Sequence, residues 1–427
     1  MSKKIILFLS SYDEEKAKDV TFSCQNDLEV SGKQTNEAPT KYLLHTYSDV
    51  SEILCVVTPD AERTALPYFE QVIKAENSKV VITPIAFRED SDFSQTALSE
   101  IVNRIDTKDK ILLETTGGFR NAAMYLLLVS RVLSYNGSET IGAVYANLSK
   151  KKIEDISDVI GLFDLVGGMQ ELSSFGSVRT LRKYYGKPAK DEKIENLIHA
   201  VEDLTNTITL CRTRLVEEKM EGFNQALDEI KDCNDPMMRR LYPAFRLKFG
   251  EEMTILTLIQ WCVESDMLQQ ALTIHKERIP LYIMDARNRI IRIRENGRTF
   301  DWEKKYECRE EGYFYEKLLK LGKMSEEYKK DDEADYIYYT ISNLEIYLPR
   351  SSFLYVIWDF RSFEQILMDY LYIRILRNMI NHANEKHTDN QDQLIQYLMG
   401  RGYRNPDDLS VEDMKQVILT SIEHLKV

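Results

Sequence analysis

A set of short, continuously apolar runs in the first third of the chain narrows the fold most. Residues 5–9 read Ile-Ile-Leu-Phe-Leu, 53–57 read Ile-Leu-Cys-Val-Val and 111–113 read Ile-Leu-Leu. None alternates apolar with polar residues, so none has a solvent face. A strand covered on both sides belongs in a parallel sheet flanked by helices. The intervals carry a helical signal instead. Leu98, Ile101, Val102 and Ile105 recur at steps of three and four, and residues 119–135 are strongly apolar. Strands are therefore predicted at 4–9, 52–58, 79–85, 110–113 and 141–148, with helices at 67–75, 94–105 and 119–135. The polar stretch 12–41 reads as loop and a helix. This alternation predicts a Rossmann-like α/β domain over residues 1–180.

Residues 150–155 and 159–165 are expected to add a strand pair or hairpin. Gly161, Gly167, Gly168 and Gly176, then a polar stretch at 186–191, place the domain exit between about 176 and 190. The texture then changes. Ile194, Leu197, Ile198, Val201, Leu204, Ile208, Cys211 and Leu215 mark one long amphipathic helix. Further helices are predicted at 223–230, 237–248, 252–265, 268–279, 281–293, 313–321, 333–347, 353–384, 391–399 and 411–425, with Pro280 separating two of them. Residues 190–427 thus read as an all-α region.

Composition excludes several classes. The net charge of −13, from 56 basic and 69 acidic residues, argues against broad charge-driven binding to nucleic acid but leaves room for a small basic cleft. No apolar run is long enough to cross a bilayer, so no membrane partner is expected. The first apolar run is too short for a signal core, and Asp13, Glu14 and Glu15 follow it. The cysteines at 24, 55, 211, 233, 262 and 308 form no C-x-x-C pair, and no histidine stands at ligand spacing from them. They read as reduced thiols of a cytoplasmic protein, with no metal site and no cofactor.

Two stretches carry chemistry. The first is Glu114-Thr115-Thr116-Gly117-Gly118-Phe119-Arg120-Asn121, between a predicted strand and helix. Open α/β sheets bind ligands at such a carboxyl edge. The glycines admit a ligand to the backbone, and the helix start offers N–H groups to phosphate. The stretch is neither G-x-G-x-x-G nor a P-loop, which disfavours a dinucleotide oxidoreductase or an NTPase. Ser10 and Ser11, ending the first strand, should border the same crevice. The plainer alternative is a glycine turn that only starts a helix.

The second stretch is Arg377-Asn378-Met379-Ile380-Asn381-His382, inside an apolar helical run. Arg377 offers a fork for phosphate oxygens and His382 can move protons near neutral pH. Asn378 is four residues before His382, so the two share a helix face. A base that frees the ribose 2′-hydroxyl, an acid for the leaving oxygen and a cation beside the phosphorane cleave RNA without metal. Arg377 and His382 stand about 140° apart on an ideal helix, so they converge only if the arginine wraps, the helix ends or a second chain contributes. The alternative is ordinary surface residues at a helix end. Arg287, Arg289, Arg292, Arg294 and Arg298 are either a solvated helix face or an RNA-guiding groove. The histidines at 45, 199, 275, 387 and 424 read as bystanders, with His387 a possible auxiliary.

Together these features resemble the CRISPR-associated effector ribonucleases of type III systems, the Csm/Csx group, in which a CARF domain precedes a HEPN domain. The Thr-Thr-Gly-Gly-Phe-Arg-Asn turn resembles the CARF ligand turn. The helix pair around Trp261 and Gln269-Gln270-Ala271-Leu272-Thr273-Ile274 is similar to the helical region of that group, and Arg377-Asn378-x3-His382 fits the HEPN R-x4–6-H pattern. The resemblance implies a homodimer switched on by a cyclic oligoadenylate, of four or six units, that a type III interference complex makes. Its paired HEPN domains would cut single-stranded RNA without metal and leave 2′,3′-cyclic phosphate ends. By position Ser10, Ser11, Thr115, Thr116, Gly117, Gly118, Arg120 and Asn121 would line the activator pocket, and Arg377, Asn378 and His382 would be catalytic. Some relatives also degrade the activator in that pocket. A sensor without nuclease activity, and a nucleotide-using α/β enzyme, are the competing classes.

Overall fold

The computed structural model describes residues 2–88, 91–119, 121–250, 252–284, 291–295, 298–299, 354–356, 360–381 and 389–426. The chain forms two compact units, Met1–Leu165 and Val166–Val427.

The first unit is built on an eight-stranded sheet. Its strands are β1 (Lys3–Phe8), β2 (Val20–Ser23), β3 (Glu29–Gly32), β4 (Val50–Val57), β5 (Val81–Ala86), β6 (Lys110–Glu114), β7 (Glu139–Asn147) and β8 (Lys152–Asp155). Their order is β3-β2-β8-β7-β6-β1-β4-β5, and the run from β7 to β5 is parallel throughout. The helices are α1 (Glu37–Thr46), α2 (Pro59–Thr64), α3 (Leu66–Glu76), α4 (Ser91–Arg104) and α5 (Ala122–Tyr135).

The apolar runs are explained by two cores, one on each face. Ile5, Leu7, Ile53 and Cys55 pack with Leu43, Phe69 and Ile73 of α1 and α3. Ile6, Phe8, Leu54 and Val56 pack with Ile101, Leu126 and Val129 of α4 and α5. Successive side chains point to opposite faces, so a strand buried twice must be apolar at every position. The expected α/β architecture is therefore present.

The stretch 12–41 differs from expectation. It contains the β2–β3 hairpin as well as the start of α1. Each short strand buries one apolar side chain, Phe22 or Val30, too little for a period to register. The expected pair at 150–165 is half right. β8 pairs antiparallel with β7, but residues 159–165 belong to α6 (Ser157–Phe175). A short apolar run has no periodicity that separates strand from helix.

The division at Leu165–Val166 falls inside α6, ahead of the expected exit at 176–190. Two of the glycines that suggested a linker, Gly168 and Gly176, are packing positions. A Cβ on Gly168 would lie 2.8 Å from Leu181 in α7 (Arg179–Tyr185), and one on Gly176 would lie 2.8 Å from Trp261.

The second unit continues with α8 (Glu192–Thr209), α9 (Val216–Glu229), α10 (Pro236–Leu247), α11 (Ile255–Glu264), α12 (Leu268–Met284), α13 (Phe360–Asn381), α14 (Asp389–Gly400) and α15 (Val411–Leu425). α8 stops short of the expected 215 because Cys211 takes a left-handed φ of 50°, which ends a helix. α12 runs through Pro280 rather than breaking there. Proline has no N–H for the Lys276 carbonyl one turn back, and the Tyr370 hydroxyl donates to that oxygen at 3.1 Å.

The region is also not all-α. β9 (Ile291–Glu295) lies between β10 (Arg298–Thr299) and β11 (Leu354–Val356) in an antiparallel sheet, where helices were expected at 281–293 and from 353. Ile291-Arg292-Ile293-Arg294 alternates with the period of a strand. Arg287 and Arg289, and the expected helices at 313–321 and 333–347, lie outside the described residues. α13 is the central helix, buried from Ile366 to Ile373 on every side. No helix among the described residues is long and apolar enough to cross a membrane.

Candidate functional sites

In the parallel part of the first sheet, strand order runs outward from β1 in one direction through β4 and β5 and in the other through β6 and β7. Open sheets bind ligands where the order reverses, beyond the carboxyl ends of the two central strands. Here those ends are Phe8-Leu9-Ser10 and Glu114-Thr115-Thr116, so the turn singled out in the sequence lies at that point.

The turn is held from three sides. Thr115 directs both its N–H (3.0 Å) and its hydroxyl (2.9 Å) to the Val144 carbonyl of β7. The Thr116 hydroxyl accepts from the Ala146 N–H at 2.8 Å. The Gly118 N–H donates to Ser10 Oγ at 2.8 Å, which ties the turn to the end of β1. Thr115 is buried and acts as a support, whereas Ser10 and Thr116 are half-buried and Ser11, Gly118 and Asn121 are exposed. Arg120 lies outside the described residues.

Both glycines are required. A Cβ on Gly117 would overlap the Asn36 amide and the Phe8 carbonyl. Gly118 has a φ of 91°, and a Cβ there would stand 2.7 Å from both Phe8 and Ala122. Asn121 caps α5 without a side-chain hydrogen bond, and the Ala122 N–H donates to the Phe119 carbonyl at 2.9 Å, so an anion here would meet the N–H groups of Ala123 and Met124.

Sequence reasoning missed the residues that brace the cradle. Asn36 is fully buried. Its Oδ1 accepts from the Ser10 N–H (3.0 Å) and Gln34 Nε2 (3.1 Å), and its Nδ2 donates to the Phe8 carbonyl (2.8 Å) and to Glu114 Oε2. Gln34 Nε2 also donates to the Ser10 carbonyl at 2.9 Å. Glu114 is buried beneath the turn and accepts the Thr116 N–H at 2.6 Å. Nothing in the polar stretch 12–41 distinguishes a buried amide from a solvated one. The only signal was the acidic residue ending an otherwise apolar strand.

Burial outweighs the hydrogen bonds to Glu114 and pushes its carboxyl up from 4.5 to about 7. The stabilisation this group gives the fold is complete below the unfolded value. It is lost as pH rises through about 7, because the unfolded carboxyl ionises first. At about 1.4 kcal/mol per pH unit the interval amounts to about 3 kcal/mol. Urea unfolding is therefore expected to show a less stable wild type at about pH 8 than at about pH 5, and Glu114→Gln should flatten that difference. An equal slope in the variant would assign the pH dependence to another group.

In the second unit, Arg377 and Asn378 occupy the final turns of the described part of α13 and are half-buried. Arg377 Nη1 donates to Asn378 Oδ1 at 3.3 Å. Asn381, which was not singled out, is one turn beyond Arg377 and accepts from Gln269 Nε2 of α12 at 3.1 Å. His382 and His387 lie outside the described residues.

His275 is a core histidine. It is fully buried, bonds Ser421 Oγ at 2.9 Å and is pushed down to about 3 by burial. His424 is not isolated. Its Nδ1 meets Asp369 Oδ2 at 2.6 Å. Among the described residues no group of three or more His, Cys, Asp or Glu side chains is placed to hold a metal ion.

No protein-family model matches the chain, and no curated protein matches it.

Proposed function

We propose that the first unit is a CARF-type receptor for a cyclic oligoadenylate and that the second carries a HEPN-type, metal-independent endoribonuclease site acting on single-stranded RNA in a homodimer. The observation that carries this reading is the location of the Thr-Thr-Gly-Gly turn. It stands where the strand order reverses, its second glycine, Gly118, is exposed while Gly117 is buried against Asn36, and α5 begins immediately behind it. The turn's own Thr115, Thr116 and Gly118 N–H groups are bonded within the protein, so a phosphodiester would be met by the hydroxyls of Ser10, Ser11 and Thr116 and by the start of α5.

The absence of G-x-G-x-x-G and of a P-loop lysine favours this class over a dinucleotide or triphosphate enzyme. A closed ring of even repeat matches two copies of one cradle about a two-fold axis. In the second unit, Arg377 supplies a guanidinium for the phosphorane and His382 an imidazole for proton transfer, with Asn378 beside the arginine. A two-fold pairing of α13 helices would bring together an arginine and a histidine that one ideal helix holds apart.

The test is cleavage of labelled single-stranded RNA in EDTA, with and without cyclic tetra- or hexa-adenylate. The expected products appear only with a ring present and end in 2′,3′-cyclic phosphate. A ring that binds while no RNA is lost would instead identify a sensor without nuclease activity.

A further inference from the structure

The second unit carries a patch on which the sign of the chain is reversed. With a net charge of −13, the protein as a whole repels polyanions. Residues 179–190 run against that balance. Arg179, Arg182, Lys183, Lys187 and Lys190 fall in a stretch that contains no acidic residue.

Hydrogen bonds join this segment to the start of α10. The Tyr185 hydroxyl donates to Asp235 Oδ2 at 2.8 Å, the Asn234 N–H donates to Asp191 Oδ2 at 2.6 Å, and Lys193 Nζ donates to the Asp232 carbonyl at 2.9 Å. Arg239 and Arg240 stand one turn further, about 6 Å along α10. The loop after α7 and the first turns of α10 are therefore neighbours, and Lys187, Lys190, Arg239 and Arg240 are all exposed there.

Most acids of the same segments are already engaged. Asp191 and Asp235 cap α8 and α10 through backbone N–H groups. Glu195 (2.5 Å) and Glu202 (3.1 Å) hold Arg182. Glu192 and Asp232 are exposed, and so is Lys231 beside Asp232. Among the described residues, none of Lys187, Lys190, Arg239 and Arg240 has an ion-pair partner. Surface cations add little to the stability of a fold even when they are paired. Four of them side by side make a local field that attracts phosphate.

We infer that this surface is a docking track for single-stranded RNA, whose phosphates are met by Lys187, Lys190, Arg239 and Arg240. The inference rests on the reading of the second unit as a ribonuclease, which must collect a polyanion against the charge of its own chain. Ammonium and guanidinium groups take phosphate oxygens without reading bases, so the track adds affinity and no base preference.

The experiment is fluorescence anisotropy of the full-length chain with a labelled 2′-O-methyl RNA strand, which binds but cannot be cut, at rising salt. Four phosphate contacts on a single strand contribute about −3 to the slope of log affinity against log salt, or about 50-fold between about 50 and 200 mM. The fourfold variant Lys187→Gln, Lys190→Gln, Arg239→Gln, Arg240→Gln should lose that part of the slope and bind at least tenfold more weakly at low salt, in a chain that melts like wild type. Lys187→Gln with Lys190→Gln, confined to the loop, should lose half of it. In ring-activated cleavage the fourfold variant should raise KM and leave kcat unchanged, because these contacts are the same in the ground and transition states. An unchanged slope in both variants would overturn the inference, and so would the absence of RNA binding to wild type at low salt. Polyglutamate that displaces the RNA at equal concentration would overturn it too, and make the patch a site for an acidic protein. RNA that binds with the expected slope but is not cut under any ring supports the track and removes the nuclease reading instead.

Discussion

His382→Ala is expected to reduce ring-activated RNA cleavage by about 10²–10⁴, the contribution of a positioned proton-transfer group. Arg377→Ala should produce a loss of about 10²–10³, because a cation aimed at a developing phosphorane acts only in the transition state. Both variants should bind the ring as wild type does, and the turnover term, not the substrate concentration at half-rate, should carry the loss. The double variant should fall little further than the worse single one, because groups that serve one step are not additive. Arg377→Lys separates charge from shape. A lysine keeps the charge but not the two-pronged donor, and little rescue is expected. His424→Ala serves as the matched control, since it removes another imidazole of the same unit and should leave cleavage intact. If His382→Ala cuts RNA at the wild-type rate, the catalytic assignment is wrong.

The second large effect belongs to Gly117→Ala. One methyl group at this position meets the Asn36 amide and the Phe8 carbonyl, both buried and both hydrogen-bonded to each other. The Phe8 carbonyl is backbone, and the Asn36 amide, though the end of a side chain, is held by hydrogen bonds to Ser10, Gln34, Phe8 and Glu114, so the turn itself must move. Overpacking of this kind costs about 1–3 kcal/mol. Displacing Asn36 also disturbs its bonds to Ser10 and Glu114, which set the two sides of the crevice. Ring affinity is expected to fall by tenfold or more, which corresponds to about 1.4 kcal/mol. RNA cleavage should then need correspondingly more ring, while its maximal rate is preserved. Thermal melting read beside ring binding distinguishes a displaced turn from a chain that has lost its first unit. Unaltered ring affinity in Gly117→Ala would remove the turn from the binding site.

The legibility of these features in the sequence follows physical range. Strands such as Ile5–Leu9 and Ile53–Val57 are legible because burial on two faces leaves no polar position. The Thr-Thr-Gly-Gly turn is legible because glycine is demanded by a local backbone requirement, a φ of 91° at Gly118. Asn36 is not legible, because its role depends on the ends of two strands, Phe8 and Glu114, that are 28 and 78 residues away. The same holds for His424, whose partner Asp369 is 55 residues distant, so that the sequence presented an isolated histidine. Pro280 misled for a related reason. Its local rule is sound, and it is overridden by a hydroxyl from Tyr370, 94 residues beyond the orphaned carbonyl. The β9 strand was hidden differently, since Ile-Arg-Ile-Arg obeys the strand period but follows directly on a helical one.

The central claim is that the crevice between the ends of β1 and β6 is a phosphodiester cradle for a ring shared by two chains. Equilibrium titration of the full-length chain with cyclic tetra-adenylate, cyclic hexa-adenylate, ATP and NAD tests it most directly. One ring should bind per two chains, at least a hundredfold more tightly than ATP or NAD, and Gly117→Ala should weaken the ring alone. Tighter binding of ATP or NAD, at one per chain and lost in Gly117→Ala, would contradict the claim.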